Sequence, residues 1–122
     1  MKPATLDLTV YRDRDFSRTF YIKQYIGGPA MDLTGYSAKA EIRSGKDTDE
    51  LIVGFLVVVD PLIGSITISL EDNQTILLVN TVAFWDLVLT DTYGLRQNYI
   101  EGMVNVLGTV TREADPGGID IT

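Results

Sequence analysis

Apolar residues along this chain recur with a period of two, the spacing that places successive side chains on opposite faces of a strand. The cleanest case runs from Tyr36 to Arg43. There Tyr36, Ala38, Ala40 and Ile42 face one way and Ser37, Lys39, Glu41 and Arg43 the other. Leu6, Leu8 and Val10 predict a strand over 6–11, and Phe16, Phe20 and Ile22 another over 16–23, its apolar face interrupted by Arg18. Ser65 to Leu70 sends Ile66, Ile68 and Leu70 inward. Val82 to Thr90 places Trp85, Leu87 and Leu89 on one face and Phe84, Asp86, Val88 and Thr90 on the other. Leu51 to Val59 is apolar throughout and rich in β-branched residues, the pattern of a strand covered on both faces. Leu95 to Val110 predicts one long strand, or two broken near Gly102 or Gly108, where glycine weakens a strand.

Turn formers separate these runs. Ile26-Gly27-Gly28-Pro29-Ala30 predicts a hairpin or sharp corner, Asp60-Pro61-Leu62-Ile63-Gly64 a turn, and Asp91-Thr92-Tyr93-Gly94 a hairpin turn. Glu71 to Leu78 loses the alternation and begins with residues suited to a helix start, so it predicts a single helical turn crossing between sheets. About seven short strands at this spacing, with no long helical period, predict an all-β, Ig-like antiparallel β-sandwich. The predicted domain covers residues 1–111. Residues 112–122 carry too few apolar side chains to pack alone and read as an extended C-terminal arm.

Composition narrows the chemistry more than it narrows the fold. A length of 122 residues with 45% apolar content fits one domain with a substantial core. The chain has neither cysteine nor histidine. Disulfides, thiolate or histidine zinc sites, Cys-His pairs and Ser-His-Asp triads are therefore excluded, which leaves an enzyme only carboxylate chemistry, a serine-lysine arrangement or an oxygen-ligand metal; a non-enzymatic role without a cofactor is expected. A net charge of −7 repels phosphate backbones, and no nucleic-acid partner is expected. No stretch approaches the roughly 18 consecutive apolar residues of a membrane span, and no membrane partner is expected. The first residues lack a secretory signal pattern, so nothing marks the chain for export and a cytoplasmic origin is expected.

Candidate sites are few. Arg12 and Arg14, set among Asp13, Asp15, Tyr11 and Phe16, predict a charged loop between strands, with a protein-binding patch as its functional reading. Asp47, Asp49 and Glu50 have part of the spacing of a calcium loop or a glycosidase pair. They lack the positioned glycine and closing bidentate glutamate of the calcium loop, so they predict a solvated loop tip. Trp85 has inward parity and predicts a core residue. As alternatives, Trp85 or exposed Tyr21, Tyr25 and Tyr93 would offer stacking platforms to a carbohydrate. Gly27-Gly28-Pro29 predicts turn chemistry rather than a phosphate loop. The alternating Ile119-Asp120-Ile121-Thr122 has the pattern of a strand that could add to a neighbouring sheet edge, making Ile119 and Ile121 candidate partner contacts.

Three blocks in order carry a resemblance. They are Arg12-Asp13-Arg14-Asp15-Phe16-Ser17-Arg18-Thr19-Phe20; Met31-Asp32-Leu33-Thr34-Gly35-Tyr36 continuing to Ile42-Arg43; and Trp85-Asp86-Leu87-Val88-Leu89-Thr90-Asp91 with Glu101-Gly102-Met103-Val104-Asn105-Val106. From about Thr5 to Thr111 the chain resembles a tailed-bacteriophage family typified by the N-terminal domain of phage baseplate upper proteins. The resemblance implies an Ig-like sandwich that serves as a structural protein of the virion. It would act as an assembly adaptor in the tail, baseplate or fibre-attachment region, in multiple symmetric copies and in contact with other virion proteins. A capsid decoration protein on the same fold is the nearest alternative. Longer relatives of this type continue into a coiled coil or receptor-binding region, so direct receptor binding is not expected of these 122 residues.

Overall fold

The structure, a computed structural model, describes residues 3–45, 50–79 and 82–108. The predicted arm over 112–122, with Ile119 and Ile121, and the loop residues Asp47 and Asp49 lie outside the described residues. The described strands are β1 (Ala4–Thr5), β2 (Leu8–Tyr11), β3 (Phe16–Tyr21), β4 (Ser37–Arg43), β5 (Leu51–Gly54), β6 (Leu56–Asp60), β7 (Ser65–Leu70), β8 (Val82–Thr90) and β9 (Arg96–Leu107), with the helical turn α1 (Asp72–Thr75) between β7 and β8.

Two sheets pack face to face. The larger runs β1-β9-β8-β4-β5, with β2 following β1 along the same side of β9, and the smaller runs β3-β7-β6. β1 and β2 pair with β9 in parallel, whereas the other pairings are antiparallel. The chain is thus an all-β sandwich with an Ig-like strand order. Alternation places the core as expected. Ala40 and Ile42 of β4, Ile66, Ile68 and Leu70 of β7, and Ala83, Trp85, Leu87 and Leu89 of β8 are buried between the sheets. Trp85 is 3% exposed. It stacks on Phe20 at 6.0 Å and meets Phe55 edge-on at 6.1 Å, and Phe55 in turn lies 6.1 Å from Phe16.

Two predicted elements take a different form, and a third resolves an open alternative. The apolar run 51–59 is two strands, because Phe55 turns into the core and donates its backbone N–H to Ala40 O, so that β5 stays in the large sheet while β6 joins the small one. The run is not covered on both faces: Leu51, Leu56 and Val58 are exposed. The strand predicted over 6–11 is β2 and begins at Leu8 rather than Leu6. Leu6 and Asp7 cross Gly102 so closely that a Cβ there would sit 2.0 Å from Leu6 O. The crossing is tied by Leu6 N–H to Glu101 O (2.9 Å), Trp85 Nε1–H to Leu6 O (2.8 Å) and Met103 N–H to Asp7 Oδ1 (3.0 Å). Of the two forms expected for 95–110, β9 takes the single strand, running from Arg96 through Gly102 to Leu107. That glycine serves the close approach of another segment rather than the end of a strand.

Candidate functional site

The charged turn between β2 and β3 is fastened inward. Asp13 takes a left-handed conformation, φ 66°, which short polar side chains tolerate. Asp15 Oδ1 accepts the Asp72 N–H at 2.8 Å, satisfying a donor at the start of α1 that has no partner within the helix. Thr75, fully buried, accepts the Arg14 N–H at 3.2 Å, and its hydroxyl proton is shared between Arg14 O (2.9 Å) and Asp72 O (3.1 Å). Gln74 Oε1 reaches back to the Glu71 N–H at 2.8 Å. Arg12 directs Nη2 toward Ile76 O at 3.5 Å, and Arg14 Nη1 donates to Asp13 O at 2.8 Å. The two candidate arginines thus share one end of the sandwich with α1, and part of their hydrogen-bonding capacity holds that end together.

At the opposite end the turns β3–β4, β6–β7 and β8–β9 meet. Ile22 N–H donates to Gly64 O (2.7 Å), Met31 N–H to Ile22 O (2.9 Å) and Leu33 N–H to Pro61 O (3.0 Å), which joins the first two. Gly35, at φ 82°, has Thr92 Cγ2 at 2.5 Å from where a Cβ would lie, which brings in the third. The Asp32-Leu33-Thr34-Gly35-Tyr36 block is local scaffolding: Asp32 Oδ1 accepts from Thr34 N–H (2.9 Å) and Oγ1–H (2.6 Å). Asp91 does the same for the third turn, accepting from Tyr93 N–H (2.8 Å) and Leu95 N–H (3.0 Å). The tips left outside are apolar or aromatic: Tyr25, Ile26, Leu62, Ile63, Tyr93 and Leu95 are exposed, Ile26 fully and Tyr93 to 90%. Tyr21 is also exposed, whereas Trp85 is not available to a ligand.

A third feature was not foreseen from the sequence. Glu41, Asp86 and Glu101 lie directly opposite one another on adjacent strands β4, β8 and β9 and face outward. Together with Arg43, Asn98 and Gly102 they line a groove of about 240 Å³. Burial favours the neutral form of Glu41, but its hydrogen bond with Arg43 Nη2 (2.7 Å) and the nearby Lys39 Nζ (3.5 Å) outweigh that and hold its pKa below the ordinary value. Asp86 is pushed the other way, by partial desolvation and then by the charges of Glu41 and Glu101, against the pull of Arg43. The groove is smaller than the roughly 300 Å³ at which small-molecule sites begin. Among the described residues no group of three or more acidic side chains is placed to hold a metal ion. Outward parity of Glu41 and Asp86 is legible in the sequence, but their alignment needs the register. Glu50 is exposed in its loop.

Compared with known proteins, the chain matches no family model and no curated protein.

Proposed function

We propose that this chain is a non-enzymatic structural protein of a tailed-phage virion, an assembly adaptor of the tail, baseplate or fibre-attachment region. The observation that carries the reading is the apolar end formed by Tyr25, Ile26, Leu62, Ile63, Tyr93 and Leu95. Exposed apolar and aromatic side chains carried by turns that meet at one end of a domain suit a protein-binding surface. The blocks that resemble phage virion proteins support it from a second direction. Asp32, Gly35, Asp91 and Gly102 hold turns and close crossings, which fits blocks that serve as scaffold. Gold labelling of virions from cells that encode the chain tests the assignment. Label on the tail or baseplate is the expected result. Label coating the head shell would make the chain a decoration protein, and virions without label would overturn the virion reading.

Exposed Tyr25 and Tyr93 favour a second reading, a carbohydrate-binding module that stacks sugars at the same end. Calorimetric titration with host surface glycans decides it. Saturable heat that Tyr93→Ser abolishes would displace the adaptor reading.

A further inference from the structure

The longest stretch of the chain without a polar side chain is Leu51-Ile52-Val53-Gly54-Phe55-Leu56-Val57-Val58-Val59. Five of these nine residues are β-branched, Phe55 is aromatic and proline is absent, so the stretch suits a pleated strand along its whole length. Segments of about six or seven residues with these properties stack on identical segments of other chains as cross-β, with every backbone group paired and the side chains interdigitated. The partner follows from the chemistry, because a dry zipper of this kind forms between copies of one sequence. Glu50 precedes the stretch and Asp60-Pro61 follows it, and charge and proline are the residues that oppose its extension. Ile76 to Trp85 is also uncharged, but Asn80 and Thr81 interrupt its apolar run.

The fold never presents the nine residues as one strand. Leu51–Gly54 is β5 on the larger sheet, and Leu56–Asp60 is β6 on the smaller. Between them Phe55 is buried, and its N–H is held by Ala40 O at 3.0 Å. The pairing partners differ accordingly: β5 lies beside Glu41, Ile42 and Arg43 of β4, and β6 beside Ser65 to Ser69 of β7. Each sheet takes four residues of the run, 51–54 and 56–59, fewer than a zipper of about six requires.

We propose that residues 51–59 are the self-association segment of the unfolded chain, pairing as cross-β with the same residues of other copies, and that the change of sheet at Phe55 withholds the segment in the folded protein. Association then follows the unfolded population rather than the folded one. Transiently exposed apolar strand sequence is the usual origin of such pairing, and here the exposure requires that β5 and β6 leave their separate sheets and Phe55 leave the core.

Formation of dye-binding fibrils by the whole chain tests this, with each variant held at the temperature at which half of it is unfolded, so that the unfolded populations match. The parent is expected to form sedimentable fibrils there and none well below that temperature. Val58→Lys puts a charge inside the segment at a position 57% exposed in the fold, and is expected to slow fibril growth several-fold. Ser17→Lys adds the same charge at an exposed position outside the segment and is expected to grow fibrils as the parent does. Either lysine reduces the net charge of −7 and with it the general repulsion between chains, so slowing at Val58 reads the segment itself. Proteolysis of the parent fibrils, followed by mass spectrometry, is expected to leave a resistant core that contains residues 51–59. No fibrils from the half-unfolded parent, equal rates for the parent and Val58→Lys, equal slowing by both lysines, or a resistant core over 76–85 without 51–59 would overturn the assignment of the segment. Fibrils that grow equally fast far below the midpoint would overturn the protective role of the sheet change.

Discussion

The two ends of the sandwich solve opposite problems. At one end the β2–β3 turn and α1 spend polar groups on each other, with Asp15 accepting from the start of α1 and Thr75 bonded to both backbone groups of Arg14. At the other end Asp32 and Asp91 stabilise their own turns and leave aromatic and aliphatic tips in water. The first arrangement closes the fold; the second keeps a surface open at little cost to it. The same side-chain type, aspartate accepting backbone N–H groups, serves both. What differs is whether the donor lies far along the chain, as Asp72 does from Asp15, or a few residues away.

That contrast can be broken most strongly at Thr75. Thr75→Val keeps the shape but removes the acceptor of the Arg14 amide in a fully buried site, and the expected loss is about 2–3 kcal/mol in denaturant unfolding. A loss under about 0.5 kcal/mol would mean that the closed end does not depend on this bond. Asp91→Ala removes two local hydrogen bonds in an exposed turn, and about 1 kcal/mol is expected. Tyr93→Ser should leave stability within about 0.5 kcal/mol of the parent, as for exposed sites generally, while reducing incorporation into virions. A variant that unfolds more readily without losing incorporation would reverse the assignment of that end.

The smallest effect lies between the ends, at Asp86. Its folded-state pKa is raised above 3.8, so the folded state holds this proton more tightly than the unfolded chain. The associated stability is fully present below that ordinary value and is lost as pH rises through the raised folded pKa. Asp86→Asn should therefore melt slightly higher than the parent at pH 7, with the advantage vanishing below pH 3.8. Equal melting temperatures at both pH values would show that the outward position screens the repulsion from Glu41 and Glu101.

Much of the fold was legible because half-buried strands write their faces into alternate residues. Ala40 and Ile42, Ile66 and Ile68, and Trp85 and Leu87 all lie where parity put them. The run 51–59 misled for a physical reason. Continuous apolarity reads as burial on both faces, whereas here the chain changes sheets at Phe55 and exposes Leu56 and Val58 at an edge. Gly102 left two forms open for a similar reason: a glycine inside a strand signals either a break or a close approach, and composition does not distinguish them. Tyr25 and Tyr93 were named singly as exposed candidates, but nothing local to either announces that their turns share one end.

By itself the sequence determined the class of the protein and its chemical limits. Period-two alternation specified strands and their inward faces, turn residues specified where the chain reverses, and the absence of histidine and cysteine removed most catalytic and metal chemistry. Only the tertiary structure decided which strands are neighbours, that β2 runs parallel to β9, that Glu41, Asp86 and Glu101 align, and that β6 ends the smaller sheet among the described residues. Parity is a local property fixed by the geometry of each residue. Strand order and register depend on contacts between segments far apart in the chain, which no local pattern encodes.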